Sequence, residues 1–360
     1  MRALEVQTNV PLAPFCTLGV GGPARAYVRA ASEDDLRAAA GWARARALPL
    51  FLLGGGSNLL VADEGFPGLV AHVDLRGVSV AESAGGVDVT AAAGEDWDAL
   101  VARCVEAGWS GVECLSGIPG RVGATPIQNV GAYGQDVSAT ITSVRCLDLE
   151  TGEAVVLRGD ECGFGYRDSR FKAADRGRFA VLGVTFRLRR GEPGAPRYAE
   201  LARALSGVAA PTVRDVRRTV LALRRAKSMV LDPADPNRRS AGSFFTNPTV
   251  DADTAAAVRA AAAGAHGPEV AAAMPAFDGG GGRVKLSAAW LIERAGLAKG
   301  DGAGPVGLST NHTLAIVNRG GATAREVAAF ARDVRERVET RFGVRLVPEP
   351  VLLGLDLGAS

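Results

Sequence analysis

The sequence is short of metal ligands and of paired thiols. Only three histidines occur in 360 residues, His72, His266 and His312. No two stand at metal-ligand spacing, so no metal is expected. The five cysteines, Cys16, Cys104, Cys114, Cys146 and Cys162, form no C-x-x-C pair and are odd in number. That argues against a disulfide framework or a zinc site and for free thiols in a reducing cytoplasm. Net charge is nearly absent, at +2, which gives no electrostatic case for a nucleic-acid or membrane partner. No apolar run reaches ~18 residues, and the opening residues 1–7 carry no apolar h-region. The standard nucleotide loops are missing too: no Gly-Lys-Ser/Thr follows a glycine turn, and no G-x-G-x-x-G opens a helix. No internal repeat appears at a fixed period.

What the chain has is glycine. The run Leu115-Ser-Gly-Ile-Pro-Gly-Arg-Val-Gly-Ala-Thr-Pro-Ile-Gln-Asn-Val-Gly-Ala-Tyr-Gly134 holds five glycines and two prolines. Glycine admits φ > 0 and close backbone approach, and proline fixes turns. Such a segment reads as successive tight turns presenting N–H groups to an anion or cofactor, with an ordinary surface loop as the alternative. Upstream stands a second glycine turn, Leu53-Gly-Gly-Gly-Ser-Asn-Leu-Leu60. Two such segments suggest one extended ligand, such as a dinucleotide.

The length suggests two or three domains, and 47% hydrophobic with 22% charged residues fits a globular chain. Residues 26–61 read as strand, helix, strand, with Ser32 as N-cap and Leu36, Ala39, Ala40 and Ala43 on the apolar face. The strand Leu50–Leu53 runs into the glycine turn, where ligands gather in open α/β units. An alternating strand opens at Val87. Trp97, Leu100, Val101, Cys104 and Val105 then make one apolar helical stripe, with Gly108 as its stop. Short strands follow over 143–148, 154–157 and 180–188. The segment 191–196 is the best candidate boundary. Helices are expected over 213–226, over 254–273 on the surface with a break at 264–268, and over 323–342 with Thr323 and Glu326 as a capping box. The run 279–282 reads as an irregular loop.

Three segments could carry chemistry. Phe164 to Lys172 gathers Tyr166, Arg167, Asp168, Ser169, Arg170 and Lys172. A guanidinium there could bind a carboxylate bidentately; a solvated hairpin with a local Arg–Asp pair is the alternative. In Gly242-Ser-Phe-Phe-Thr-Asn-Pro248, Ser243 stands between glycine and two aromatics, with no histidine nearby to make a triad; a turn serine is the alternative. In Val347-Pro-Glu-Pro-Val351, Glu349 lies in a rigid extended segment. An exposed tail is the alternative, and the following Val351-Leu-Leu353 argues for docking.

With these segments in hand, the chain resembles the UDP-N-acetylenolpyruvoylglucosamine reductases, from Thr17-Leu-Gly-Val-Gly-Gly-Pro23 to Pro348-Glu349. The loop near Tyr198 is similar to the longer of the family's two forms. The resemblance implies an α+β chain with an FAD-binding fold of the vanillyl-alcohol oxidase (PCMH) type in two subdomains, plus a C-terminal α+β substrate-binding domain. Boundaries are expected at 1–66, joined by 346–360, then 67–212 and 213–345. It implies noncovalent FAD, with Gly54, Gly55, Gly56, Ser57 and Asn58 on the pyrophosphate. The rest of the cofactor would meet Ser116, Gly117, Ile118, Pro119, Gly120, Gly123, Gln128, Asn129, Gly131, Ala132, Tyr133 and Gly134.

The implied reaction passes a hydride from NADPH through the flavin to C3 of an enolpyruvyl-UDP-sugar, with a proton added at C2. Arg167 would face the substrate carboxylate, Ser243 would donate the proton, and Glu349 would assist as a protonated carboxyl, which demands a buried site. Tyr198 and Lys227 would meet the UDP diphosphate, Asn247 would support that end, and Tyr166 would line the pocket. The implied location is cytoplasmic, with no nucleic acid, membrane or obligate protein partner. The alternative is another FAD-dependent oxidase or dehydrogenase of small hydroxy acids on the same fold.

Overall fold

The computed structural model describes residues 4–194 and 198–358. Contacts divide the chain into two compact units. The first is Met1–Val10, Ala24–Gly56 and Pro67–Leu231; the second is Pro11–Pro23, Ser57–Phe66 and Asp232–Ser360.

In the first unit, Ser32 caps the helix Glu33–Arg44 as expected. Its hydroxyl accepts the Asp35 N–H, and Asp35 returns the bond to the Ser32 N–H. Leu36, Ala39 and Ala43 are buried, so the helical period places one apolar face inward. The helix connects Pro23–Ala30 to Leu50–Leu53, two strands of a four-stranded sheet ordered Gln7–Pro11, Pro23–Ala30, Phe66–Val73, Leu50–Leu53. Leu50–Leu53 pairs in parallel with Phe66–Val73, Leu50 opposite Leu69.

Among the described residues the second sheet has six strands. Its path is Ala154–Arg158, Ile141–Asp148, Phe179–Arg190, Gly86–Ala92, Val78–Ser83, with Trp109–Ser110 on the side. Phe179–Arg190 lies in the middle and alternates buried with less buried residues, the period of a sheet covered on one face. The helix Trp97–Glu106 buries all five residues of its predicted stripe, and Trp97 meets the Phe186 ring at 5.6 Å between centroids. One hydrophobic cluster joins both sheets and both helices.

The expected division at 66/67 coincides with a boundary between the units, 57–66 lying in the second and 67 onward in the first. The one at 212/213 would cut off the helix Val213–Ala226, whose Val216 and Val220 are buried with Cys114, Leu201 and Leu205 and whose Arg217 pairs with Asp98 at 2.6 Å. The units divide at 231/232 instead. The candidate boundary at 191–196 reaches into 195–197, outside the described residues; 198–231 belong to the first unit.

The second unit is built around the helix Ala324–Phe342. The predicted capping box of Thr323 and Glu326 is present, and Val327, Ala331, Val334, Val338 and Phe342 are buried. The alanine-rich stretch forms Ala252–His266 and Pro268–Ala272, broken at Gly267 with φ 90°. It is not merely a surface feature: Ala255, Val258, Ala262 and Ala271 belong to the core. The run 279–282 turns a hairpin between Ala276–Asp278 and Val284–Leu286, with Gly280, Gly281 and Gly282 at φ between 59° and 77°. Val351–Leu353 pairs in parallel with Leu59–Val61, which removes the exposed-tail alternative for that segment. No helix among the described residues is long and apolar enough to cross a membrane.

Candidate active site

The two glycine turns meet in the first unit. Leu50–Leu53 ends at Gly54, and a Cβ on Gly55 would stand 2.9 Å from the Gly120 Cα. That distance lets backbone meet backbone and excludes a side chain. Gly56, Gly117, Gly120 and Gly134 hold φ of 60°, 73°, 127° and 83°. Ala132 pairs with Gln135 across a two-residue turn, in which Tyr133 at φ 50° and Gly134 both lie in the left-handed region, the geometry of a type I′ hairpin. Such glycine turns suit the pyrophosphate of a dinucleotide: Gly55 and Gly120 meet main chain to main chain.

Part of the expected cofactor segment is spent inside the chain. The Gly117 N–H donates to Asp98 Oδ1 at 2.6 Å. The Ser116 hydroxyl donates to the Glu113 carbonyl. The Gly123 N–H donates to the Ala93 carbonyl at 2.9 Å, and a Cβ on Gly123 would meet the Ala93 Cβ at 2.6 Å. Ile118 packs on the core ahead of Pro119. These residues shape the loop that brings Gly120 to Gly55.

Arg167 is held by the same region. Its backbone is left-handed, φ 54°. Its Nη2 donates to the Gly131 carbonyl at 2.7 Å and Nη1 to the Asn129 carbonyl at 3.5 Å. Asn129, itself at φ 42°, donates Nδ2 to the Gly165 carbonyl at 2.8 Å. The Ser169 hydroxyl donates to the Ile127 carbonyl, and Lys172 Nζ reaches Gln128 Oε1 and the Arg167 carbonyl. The segment 164–172 is therefore docked on 127–131, not a solvated hairpin. The Arg167 guanidinium lies 5.9 Å from the centroid of the Tyr166 ring, which is half exposed.

Tyr133, Tyr198 and Lys227 also come together. The two tyrosine rings meet edge-on at 5.4 Å, and Lys227 Nζ lies 5.9 Å from the Tyr133 centroid. Burial pushes the Tyr133 hydroxyl up to about 12, with Arg224 opposing. Burial also raises Tyr198, and the Glu200 charge adds to it. Both stay neutral donors at physiological pH.

The second unit holds the other candidates. Phe244 donates its N–H to the Leu314 carbonyl, the Glu349 N–H donates to the Phe244 carbonyl at 2.9 Å, and the Thr246 N–H to the Val347 carbonyl. Ser243 thus sits on a strand-like segment laid against Glu349, with Phe244 and Phe245 buried beneath. Glu349 is half-buried. Asn58 Nδ2 donates to the Glu349 carbonyl at 3.2 Å, and the Val351 N–H donates to the Asn58 carbonyl. Thr17 Oγ1 donates to the carbonyls of Ser57 and Ser240, at 3.4 and 2.6 Å. Ser57 and Asn58 therefore belong with the Glu349 segment, while Gly54–Gly56 belong to the first unit. Asn247 Oδ1 accepts the Ala288 N–H at 2.9 Å, so part of its side chain caps the helix Ala288–Arg294.

Known proteins match this chain over nearly its whole length. It is 55% identical to a UDP-N-acetylenolpyruvoylglucosamine reductase of Thermobifida fusca, covering 97% of this chain and 98% of that one. It is 51% identical to one of Streptomyces coelicolor, covering 97% and 90%. The chain belongs to the UDP-N-acetylenolpyruvoylglucosamine reductase family. The C-terminal domain model of these reductases matches residues 233–353, within the second unit. An FAD-binding domain model matches 24–158, and the α+β chain has the FAD-binding fold expected. A crystal structure of the reductase from Thermus caldophilus superposes with a TM-score of 0.63 at 26% identity, covering 98% of this chain and 99% of that one.

The chain also carries a buried arginine that no sequence motif singles out. Arg224 donates Nη2 to the Met229 carbonyl, while its buried Nε has no partner among the described residues. Burial lowers its pKa, Tyr133 and Asp98 oppose that, and Arg167 is near enough to add to it. In sequence it is one of two arginines in the last turn of Val213–Ala226, where basic residues are ordinary complements to the helix dipole. Among the described residues no group of three His, Cys, Asp or Glu could hold a metal. All five cysteines are buried.

Proposed function

We propose that this chain reduces UDP-N-acetyl-3-O-(1-carboxyvinyl)-glucosamine to UDP-N-acetylmuramate, with NADPH as hydride donor, in cytoplasmic peptidoglycan precursor synthesis. The observation that carries this is identity above half with named reductases along almost the full chain. The apposed glycine loops and the docked Arg167 support it. Gly54–Gly56 and the loop through Gly120 would hold FAD noncovalently, and that group would supply the hydride that ends at C3.

The protein's own groups deal with charge and protons. Arg167 orients the substrate carboxylate and stabilises negative charge that spreads onto it as the C2–C3 double bond is consumed. Ser243 gives its hydroxyl proton to C2, which then carries the electron pair of that bond, and solvent restores the proton to the serine. The hydroxyl is a weak acid, so this transfer gains only as carbanion character develops. Glu349, on the paired segment, is the second acid assigned to the same developing charge. Tyr198 and Lys227 receive the diphosphate, and Tyr166 lines the pocket. Asn247, its carbonyl oxygen held by the Ala288 N–H, is the residue assigned to support that end of the substrate. The second unit acts as the substrate-binding domain in this reading.

The test is spectral. Purified protein should show a flavin spectrum that NADPH bleaches and the enolpyruvyl-UDP-sugar restores without oxygen. A bleached flavin that this substrate leaves bleached, but a 2-keto acid reoxidises, would overturn the reading in favour of a hydroxy-acid dehydrogenase.

A further inference from the structure

Glu200 stands among the residues assigned to the UDP diphosphate, and its charge has the wrong sign for that company. Its Oε2 lies 2.6 Å from Lys227 Nζ, with the two side chains 35% and 30% exposed. Lys227 is the C-cap of the helix Val213–Ala226. Glu200 lies in the first turn of the short helix Ala199–Ala204, whose N-cap is Tyr198. The pair therefore spans the seam between two helices, beside the edge-on contact of Tyr133 and Tyr198.

The ion pair is not needed to hold that seam. Leu201 and Leu205 are buried against Val216, Val220 and Cys114. Burying two leucine side chains contributes several kcal/mol, against the small worth of a partly solvated ion pair. The carboxylate is also replaceable. A diphosphate diester carries more negative charge than one carboxylate, and its oxygens match the three donors of an ammonium as well.

We propose that Glu200 is the internal counter-ion of Lys227. It occupies the ammonium until the diphosphate of the UDP-sugar displaces it, and so sets the affinity for that group. This rests on the reading of Lys227 as a diphosphate contact. Removing the carboxylate then frees Lys227 and also removes a repulsion, two effects of the same sign. A pair that merely fastened the short helix would act in the opposite sense, because loosening Tyr198 would weaken binding. Glu200 is thus a positioning residue that acts through Lys227, and the sign of its effect on binding separates the two roles.

The experiment is calorimetric titration of the FAD-loaded enzyme with UDP-N-acetylglucosamine, which carries the diphosphate but not the reacting group. Glu200→Gln is expected to tighten binding about two- to fivefold, the range an ion pair this exposed can supply. Lys227→Met should weaken binding by about an order of magnitude. In the double variant Glu200→Gln/Lys227→Met, the tightening should vanish relative to Lys227→Met alone. Unchanged or weaker binding by Glu200→Gln overturns the counter-ion role and leaves Lys227 where it is. So does a tightening that persists without Lys227. Wild-type affinity in Lys227→Met overturns both the diphosphate contact and the inference built on it. Melting curves of each variant show whether the fold is kept, and Glu200→Asp, which retains the charge but shortens its reach, should fall between wild type and Glu200→Gln.

Discussion

Glu349 gives its backbone N–H to the carbonyl of Phe244 at 2.9 Å, which seats it beside the residue that follows Ser243. The two candidate acids are thus carried on one antiparallel pairing, with Phe245 opposite Pro348. The prolines on either side of Glu349 restrict its backbone, and the buried Phe244 and Phe245 fix the facing segment. If Ser243 is the proton donor, Ser243→Ala should leave reduction of the flavin by NADPH near normal. Its reoxidation by the enolpyruvyl substrate should slow by about 10²–10⁴, the range for general acid–base catalysis. Stopped-flow absorbance reads the two halves separately, and equal losses in both would make the serine structural.

Arg167→Lys should not be conservative. The guanidinium already reaches the carbonyls of Gly131 and Asn129, and a planar fork can do this while presenting its remaining edge to a carboxylate. An ammonium on a shorter reach cannot serve both. Loss of a preorganised charge contact at the reacting centre costs on the order of 10²–10³ in rate. Turnover of Arg167→Lys close to wild type would remove the carboxylate role.

Local signals were legible because their physics is local. Ser32 with Asp35, and Thr323 with Glu326, announce helix starts in four residues. The stripe from Trp97 to Val105 is buried as its period requires. The glycine turns could be read as ligand-facing, but not that Gly55 would meet Gly120, since that depends on how Leu50–Leu53 and the later loop pack. Ser116, Gly117 and Gly123 look like cradle residues in sequence, yet their donors serve Glu113, Asp98 and Ala93. The pairing of 244–246 with 347–349 joins segments about a hundred residues apart, and no pattern in either foretells the other. Alanine suits any exposed helix, so the sequence alone places Ala255, Ala262 and Ala271 at the surface. They are buried because a small side chain also lets helices approach closely.

Asp98 links helix, loop and stability. It accepts two bonds from Arg217 and one from the Gly117 N–H. Burial alone would raise its pKa, but the Arg217 and Gly117 bonds and the Arg217 charge outweigh this and hold the carboxyl below its usual value. A depressed folded pKa means stability that is fully present above the unfolded value near 4 and lost as pH falls through the folded one. Asp98→Asn should therefore destabilise the protein by about 1–3 kcal/mol at pH 7, the cost of weakening charged hydrogen bonds. The gap from wild type should shrink as pH drops below 4. Urea melts at pH 7 and pH 3 measure this, and a gap that is independent of pH would show that the carboxylate charge is not what matters.

The glycine loop allows a substitution that separates the cofactor from the fold. A Cβ on Gly55 would collide with the Gly120 backbone, so Gly55→Ala should lower the melting temperature as well as FAD content. Gly54 is different. Its Cβ would only touch the Arg121 side chain at 3.8 Å, an ordinary contact that the protein can accept. Any defect in Gly54→Ala then comes from the ligand side. If phosphate oxygens pack against this backbone, one methyl group there should cost about 1–3 kcal/mol of overpacking, roughly tenfold or more in FAD affinity. The apoprotein should melt as the wild-type apoprotein does, and added FAD should raise its melting temperature less, as linkage requires of a weaker binder. Gly54→Ala that retains wild-type FAD affinity would move the pyrophosphate away from this turn.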